Sequence, residues 1–228
     1  MSRAPTSSRS RRRPTSPLNR DAILDVAIAL IEHEGADSLT MRRLGARLGV
    51  EAMAIYHHFA SRDELIVAIG DRLLDPLQDL DLGDDWREAC RRFARAMRDL
   101  AVAMASTFRL LGLQPFDTPV SLRPVERLLG VLVGDGFSPG DALAIYRAIV
   151  SYARGYALAE VTGFTVDAAG PESRRRLAAL PRREFPILAG RVKELADLYP
   201  NAGFELGLGA LLDGLPDPPV VKRPRGRS

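Results

Sequence analysis

Tyr56, His57 and His58 stand side by side, with Phe59 directly after them and Arg62 close behind. Arg42, Arg43 and Arg47 lie shortly upstream. Two adjacent histidines first suggest proton transfer. On a helix, however, neighbours point about 100° apart, so they cannot serve one substrate as a dyad. The chain has no Gly-rich phosphate loop, no G-x-S-x-G elbow and no His/Cys set at metal-ligand spacing. No catalytic residue, metal site or cofactor is therefore expected. An aromatic ring, imidazoles and guanidiniums gathered on one surface suit a different task, contact with the phosphates and base edges of double-stranded DNA.

The elements that must position these groups are legible around them. Leu39, Leu44 and Leu48 have the spacing of one apolar face of a short helix, with Thr40 placed to cap its start. Gly49 stands where a helix commonly ends in the left-handed conformation. Val50, Ile55 and Phe59 then form a second apolar set, which leaves Ala52, Met53, Tyr56 and His57 on the outer side. A Gly-containing turn alone joins helices in many small domains. The exposed Tyr and paired His favour a helix-turn-helix whose second helix enters a DNA groove.

Helical spacing continues along the chain and predicts an all-α protein. Asp21 to Glu34 reads as a helix capped by Asn19 and closed by Gly35. Ser61 and Glu64 form a capping box that opens a connector helix running to about Leu74, before Pro76. Asp85 to Glu88 and Ser138 to Asp141 are further helix starts, the second with Pro139 at the first helical position. Residues 165–182 contain Gly, Pro and Arg and read as a mobile segment, followed by helices near 183–198 and 202–212. The expected organisation is a basic tail (1–17), a three-helix DNA-binding domain (18–65), a larger α-helical domain (66–215) and a basic C-terminal tail (216–228).

The segment from Asn19 to about Leu65 resembles the N-terminal domain of the TetR/AcrR family of transcriptional regulators, on AILDVAIALIEHEGADSLTMRRLGARLGV and then AIYHHFASRDELI. The remainder, to about residue 215, is similar to the all-helical effector domain of the subgroup nearest the tetracycline repressors. There the matching stretches are DWREACRRFARAMRDL, SPGDALAIYRAIVSYARGYAL and FELGLGALLDGL. The resemblance implies a homodimeric repressor that binds a palindromic operator and is released by a small-molecule effector. The alternatives are an activator and an effector-independent architectural DNA binder.

Candidate residues follow from these readings together. Thr40, Met41, Arg42, Ala52, Met53, Ala54, Tyr56, His57, His58 and Arg62 are expected at the DNA. Base choice is expected to lean on Arg42, His57 and contacts of Ala or Met with thymine methyls, since Ala52, Met53 and Ala54 offer no hydrogen bonds to bases. Phe93, Met97, Leu100, Met104, Phe108, Leu128, Leu132, Ile149, Tyr152 and Tyr156 are apolar enough to line a ligand cavity, with Gln114, Ser151 and Arg154 as polar contacts. The same spacing suits plain core, and only the resemblance favours a cavity. Small residues at Ala144, Ala148, Ser151 and Gly155, and the apolar row Phe204, Leu208, Leu211 and Leu212, are expected at a dimer interface. All three histidines, His33, His57 and His58, fall in the N-terminal domain. In the tetracycline repressors a histidine of the effector domain helps to hold a drug–metal chelate. Without one, the effector domain of this chain is expected to take a metal-independent ligand.

Composition sets the outer limits. A chain of 228 residues with 46% hydrophobic content can bury a substantial core. The net charge of +3 conceals an asymmetry. The first 17 residues hold five arginines and no acid, and the last 13 hold four basic residues against Asp217, so the body between them is net acidic. The N-terminal tail is expected to be a solvated leader or a basic arm on DNA. The single cysteine, Cys90, excludes an internal disulfide and reads as a small filler. There is no signal-like apolar stretch at the N-terminus and no apolar run long enough for a membrane span, so a cytoplasmic location is expected.

Overall fold

The computed structural model describes residues 18–111, 117–163, 170–196 and 201–218. Residues 1–17, the end of the C-terminal tail from 219 and Gln114 lie outside these. The chain divides into two compact units after Arg72.

In the first unit, α1 (Arg20–Glu34) begins where Asn19 Oδ1 accepts the Ala22 N–H at 2.8 Å. It buries Ile23, Ala27, Leu30 and Ile31. A 3-10 turn over Ala36–Ser38 leads to α2 (Met41–Leu48), capped by Thr40 Oγ1 on the Arg43 N–H at 3.2 Å. Gly49 ends it at φ 72°, ψ 25°, the left-handed conformation that the sequence predicts. Helices α3 (Ala52–Tyr56) and α4 (Arg62–Leu73) complete the unit. At the start of α4, Ser61 Oγ accepts the Glu64 N–H at 3.0 Å, while the Glu64 carboxylate accepts from Ala60 at 2.6 Å. The unit extends seven residues beyond Leu65 because Arg72 pairs with Asp25 of α1 at 3.0 Å, which ties the far end of α4 to the first helix.

The second unit contains α5 (Asp75–Gln78), α6 (Trp86–Ala103), α7 (Ala105–Leu111), α8 (Pro119–Gly134), α9 (Pro139–Thr162), α10 (Pro171–Ala178), α11 (Val192–Ala196) and α12 (Ala202–Asp213). Its centre is α6 packed along α9, with α7, α8 and α12 also against α9. The starts of α6 and α9 carry the expected caps, from Asp85 to the Glu88 N–H and from Ser138 to the Asp141 N–H. Two expectations are corrected. Within the stretch read as mobile, residues 171–178 form α10, because Pro171 needs no N–H partner in a first turn. Of the helix expected over 183–198, residues 183–191 are not helical, since Pro186 cannot donate within a helix, α11 covers 192–196, and 197–198 lie outside the described residues. No strand occurs, and no helix is long and apolar enough to cross a membrane, among the described residues.

Two side chains in this unit depart from simple patterning. Arg98 of α6 is only 5% exposed. Its guanidinium is bidentate to Glu160 of α9, at 2.8 and 2.7 Å, and donates to Asn201 Oδ1 at 2.9 Å. Cys90 is fully buried, and desolvation, helped by the nearby Asp85, pushes its thiol up to about 12. It stays protonated and acts as a filler.

Candidate nucleic-acid interface and effector cavity

The helix-turn-helix is set by one close approach. Met41, Leu44 and Gly45 form the buried side of α2. A Cβ on Gly45 would lie 2.8 Å from the Val50 carbonyl oxygen and 3.2 Å from the Ala52 nitrogen. Glycine thus lets the start of α3 lie directly on α2, and the Val50 N–H donates to the Gly45 carbonyl at 2.9 Å. Ile55 and Phe59 are fully buried, which turns the rest of α3 outward.

Most residues of the expected DNA set are exposed or half-buried. Met53 is 63% exposed and Tyr56 40%, His57 is exposed, and Ala52, Ala54 and His58 are half-buried. Arg42 is exposed and makes no ion pair among the described residues. Thr40 is also exposed, but its hydroxyl oxygen serves the α2 cap. Met41 is corrected. It is buried, because the first residue of α2 shares the inward face with Leu44 and Gly45. Arg62 is exposed, yet its Nε–H donates to the Leu39 carbonyl at 3.2 Å, so part of its hydrogen-bonding capacity holds the fold. Arg43 and Arg47 share the single carboxylate of Glu34 and leave one net positive charge on that side of α2.

Arg20 is a positioning residue absent from the expected set. Its guanidinium lies 4.0 Å from the Phe59 ring centroid, donates to the His58 carbonyl and pairs with Glu64 at 3.0 Å. It clamps the end of α3 to the start of α4. The Ala60 N–H first, and Arg20 second, hold the Glu64 carboxyl below its ordinary range. That contribution is present above the ordinary carboxylate pKa and is lost as pH falls through the lowered one.

Within the second unit lies a cavity of about 60 Å³, lined by Leu74, Leu77, Phe93, Met97, Ser121, Pro124, Val125, Tyr146, Val150 and Arg154. Of the expected lining, Phe93 and Met97 are there, and so is Arg154 among the polar contacts. Phe108, Leu128, Leu132 and Ile149 are instead fully buried core, Leu100 is close to it, and Met104 is half-buried at the end of α6. Tyr152 and Tyr156 turn away to Phe204, with ring centroids at 5.5 and 5.3 Å. The reason is rotational. The α9 row Ala142, Ile145, Ile149, Ala153 and Ala157 is fully packed, so the adjacent row Tyr146, Val150 and Arg154 faces the cavity. Burial pushes Tyr146 up and, as its main effect, holds Arg154 below its ordinary value, with each group offsetting part of the other's shift.

The expected dimer residues also divide. Phe204, Leu208 and Leu212 are buried inside a single chain and are corrected to core, because this row of α12 covers α9 and α6. Ala144, Ser151 and Gly155 are exposed, Ala148 and Leu211 are half-buried, and Leu206 is 76% exposed.

Comparison with known proteins agrees with this architecture. Residues 23–69 match the family model described as bacterial regulatory proteins, tetR family, and residues 80–217 match the tetracyclin repressor-like C-terminal domain. The tetracycline repressor protein class A from transposon 1721 of Escherichia coli is 29% identical over 214 residues, covering 90% of this chain and 94% of its own. A solved structure of a possible TetR family transcriptional regulator from Streptomyces coelicolor A3(2) superposes with TM-score 0.71 at 33% identity, covering 86% of this chain and 98% of its own. The Streptomyces coelicolor TetR family protein ActR, solved in complex with (S)-DNPA, gives TM-score 0.65 at 25% identity, covering 88% and 98%.

Proposed function

The chain belongs to the tetR family of bacterial regulatory proteins and is a DNA-binding transcriptional regulator, and from that premise we propose that it is a homodimeric repressor whose operator is palindromic and whose release is driven by a metal-independent small molecule. The observation that carries the DNA reading is the single exposed face bearing Arg42, Met53, Tyr56 and His57 beside the tight Gly45 turn. One such unit reads too few base pairs to bind tightly, and paired units read two half-sites. Gly155 supports pairing through α9. Beyond its own helix backbone, a Cβ there would meet nothing within 4 Å among the described residues, so these give no reason for a glycine that weakens a helix by about 1 kcal/mol. A closely approaching partner helix gives one, and Leu206 on α12 offers it apolar surface.

The ligand reading draws support from the cavity wall. Leu74 and Leu77 follow α4 directly in the chain. A ligand that displaces them acts on the segment leading into the DNA-binding unit, to the extent that it prefers one arrangement over the other. Couplings of about 1–3 kcal/mol correspond to roughly 5–150-fold in operator affinity. All three histidines precede Arg72, and the cavity lining holds neither His nor Cys. This is a poor donor set for a chelated metal.

Selection of bound duplexes from random DNA, with the stoichiometry measured, tests the proposal. A two-fold-symmetric site occupied by two chains is the expected result. Uniform, salt-driven binding with no preferred sequence overturns it in favour of an architectural protein. At the selected site, Arg42→Ala is expected to relax preference at one base pair per half-site by about 1–3 kcal/mol. Equal loss on all sequences would reassign Arg42 to the phosphates.

A further inference from the structure

We propose that residues 1–17 are a cationic arm on the operator, which carries most of the contact charge of the DNA-binding unit and lays Arg11, Arg12 and Arg13 in the minor groove beside the half-site. The inference rests on the operator reading above and adds a second DNA-contacting element outside the helix-turn-helix. Three observations support it. First, the folded unit has the wrong charge for its partner. Residues 18–72 hold six arginines, no lysine and nine acidic residues, a formal charge of −3. Four of those arginines are in ion pairs, Arg20 with Glu64, Arg43 and Arg47 with Glu34, and Arg72 with Asp25. Arg42 and Arg62 remain, and Arg62 donates its Nε–H to the Leu39 carbonyl. DNA carries one negative charge per about 1.7 Å of its axis, and much of the affinity for it comes from neutralising that charge. Second, residues 1–17 hold five arginines and no acid, which brings the first 72 residues to +2.

Third, the arm joins the unit at the recognition face. Asn19 is extended (φ −139°, ψ 170°) and its side chain caps α1, so the helix begins at Arg20 and the preceding chain leaves it there. Arg20 itself touches the end of α3. Its guanidinium donates to the His58 carbonyl and lies 4.0 Å from the Phe59 ring centroid. The arm therefore departs within one side chain's length of His58, the neighbour of His57. Seven residues lead from Arg20 back to Arg13. At roughly 3.3–3.6 Å per residue they span at most about 25 Å. Half a turn of DNA, the step from a major groove to the minor groove beside it, is about 17 Å. Arg13 and its two neighbours can thus reach that minor groove while α3 stays in the major groove. A narrow A·T-rich minor groove concentrates negative potential and favours arginine.

Operator binding measured over a range of salt concentrations tests the arm, with the intact chain and a variant lacking residues 2–17 on the same selected duplex. Each lost phosphate contact flattens the slope of log affinity against log salt by about 0.9. The deletion is expected to flatten it by about 2–4 and to weaken binding at least about tenfold at low salt. Arg11→Gln, Arg12→Gln and Arg13→Gln, combined in the intact chain, should flatten it by about 2. Circular dichroism confirms that both variants are folded. When the pairs flanking each half-site are changed from A·T to G·C, the intact chain should lose affinity and the deletion variant should not. An unchanged slope in both variants overturns the arm and leaves the helix-turn-helix reading standing. A flattened slope with equal affinity for the two kinds of flank overturns the minor-groove placement and keeps the arm on the phosphates. If the intact chain selects no duplex at all, the operator reading on which the arm depends is overturned instead.

Discussion

Gly45→Ala is expected to destabilise the first unit by about 1–3 kcal/mol and to abolish operator binding. The new methyl group would sit 2.8 Å from the Val50 carbonyl oxygen and within 3.4 Å of the Ala52 nitrogen and the Glu51 carbonyl carbon. These are backbone atoms, so no side-chain rotation relieves the contact. Either α3 moves off α2, or the Val50 to Gly45 hydrogen bond breaks. Small domains hold only a few kcal/mol in reserve, so the loss is a large fraction of the total. A displaced α3 also carries Met53, Tyr56 and His57 out of register with the groove. Gly49→Ala separates strain from clash. Its φ of 72° strains an L-residue by about 1–2 kcal/mol, but a Cβ there meets nothing within 4 Å. Gly130→Ala, on the exposed side of α8 with open space around it, should be neutral or slightly stabilising. Denaturant unfolding and operator titration of the three variants give the ranking. Wild-type binding by Gly45→Ala would show that the close turn does not fix the recognition face.

Glu160→Ala is expected to cost the second unit about 3 kcal/mol, because it strands a buried positive charge. Arg98 is 5% exposed, and when Glu160 is gone it keeps Asn201 at 2.9 Å and the exposed Asp99 carboxylate at the longer distance of 3.9 Å. The converse change, Arg98→Met, should cost distinctly less. The Glu160 side chain is about a third exposed and can be hydrated when left alone. Replacing both, as Arg98→Met with Glu160→Leu, should recover most of the loss, since an ion pair out of water is worth little more than good apolar packing. Urea unfolding of the three variants checks the order. If Arg98→Met were the most damaging of them, the contact of the guanidinium with the Phe204 ring, 5.3 Å to the centroid, would matter more than its charge.

Local chemistry alone determined a large part of this protein. The caps at Asn19, Thr40, Ser61, Asp85 and Ser138 each join a side chain to an N–H three residues on, and Gly49 ends α2 through its own backbone freedom. Such features need no distant partner, so the all-α organisation, the helix-turn-helix and its exposed Tyr-His face were legible from residue type and spacing. The tertiary structure decided what each helix face meets. Apolar spacing marks Phe204, Leu208 and Leu212 as covered, but not whether their own chain or a second one covers them. It marks α9 as amphipathic, yet a rotation of one residue decides that Tyr146 and Val150, rather than Ile149 and Tyr152, reach the cavity beside the expected Arg154. Gly45 looks like any helical glycine until Val50 lies against it, and Arg98 looks like a surface arginine until Glu160, 62 residues away, is brought to it. Helix periodicity is a property of neighbours along the chain. Packing partners are set by chain closure over long separations, and only the folded structure supplies them.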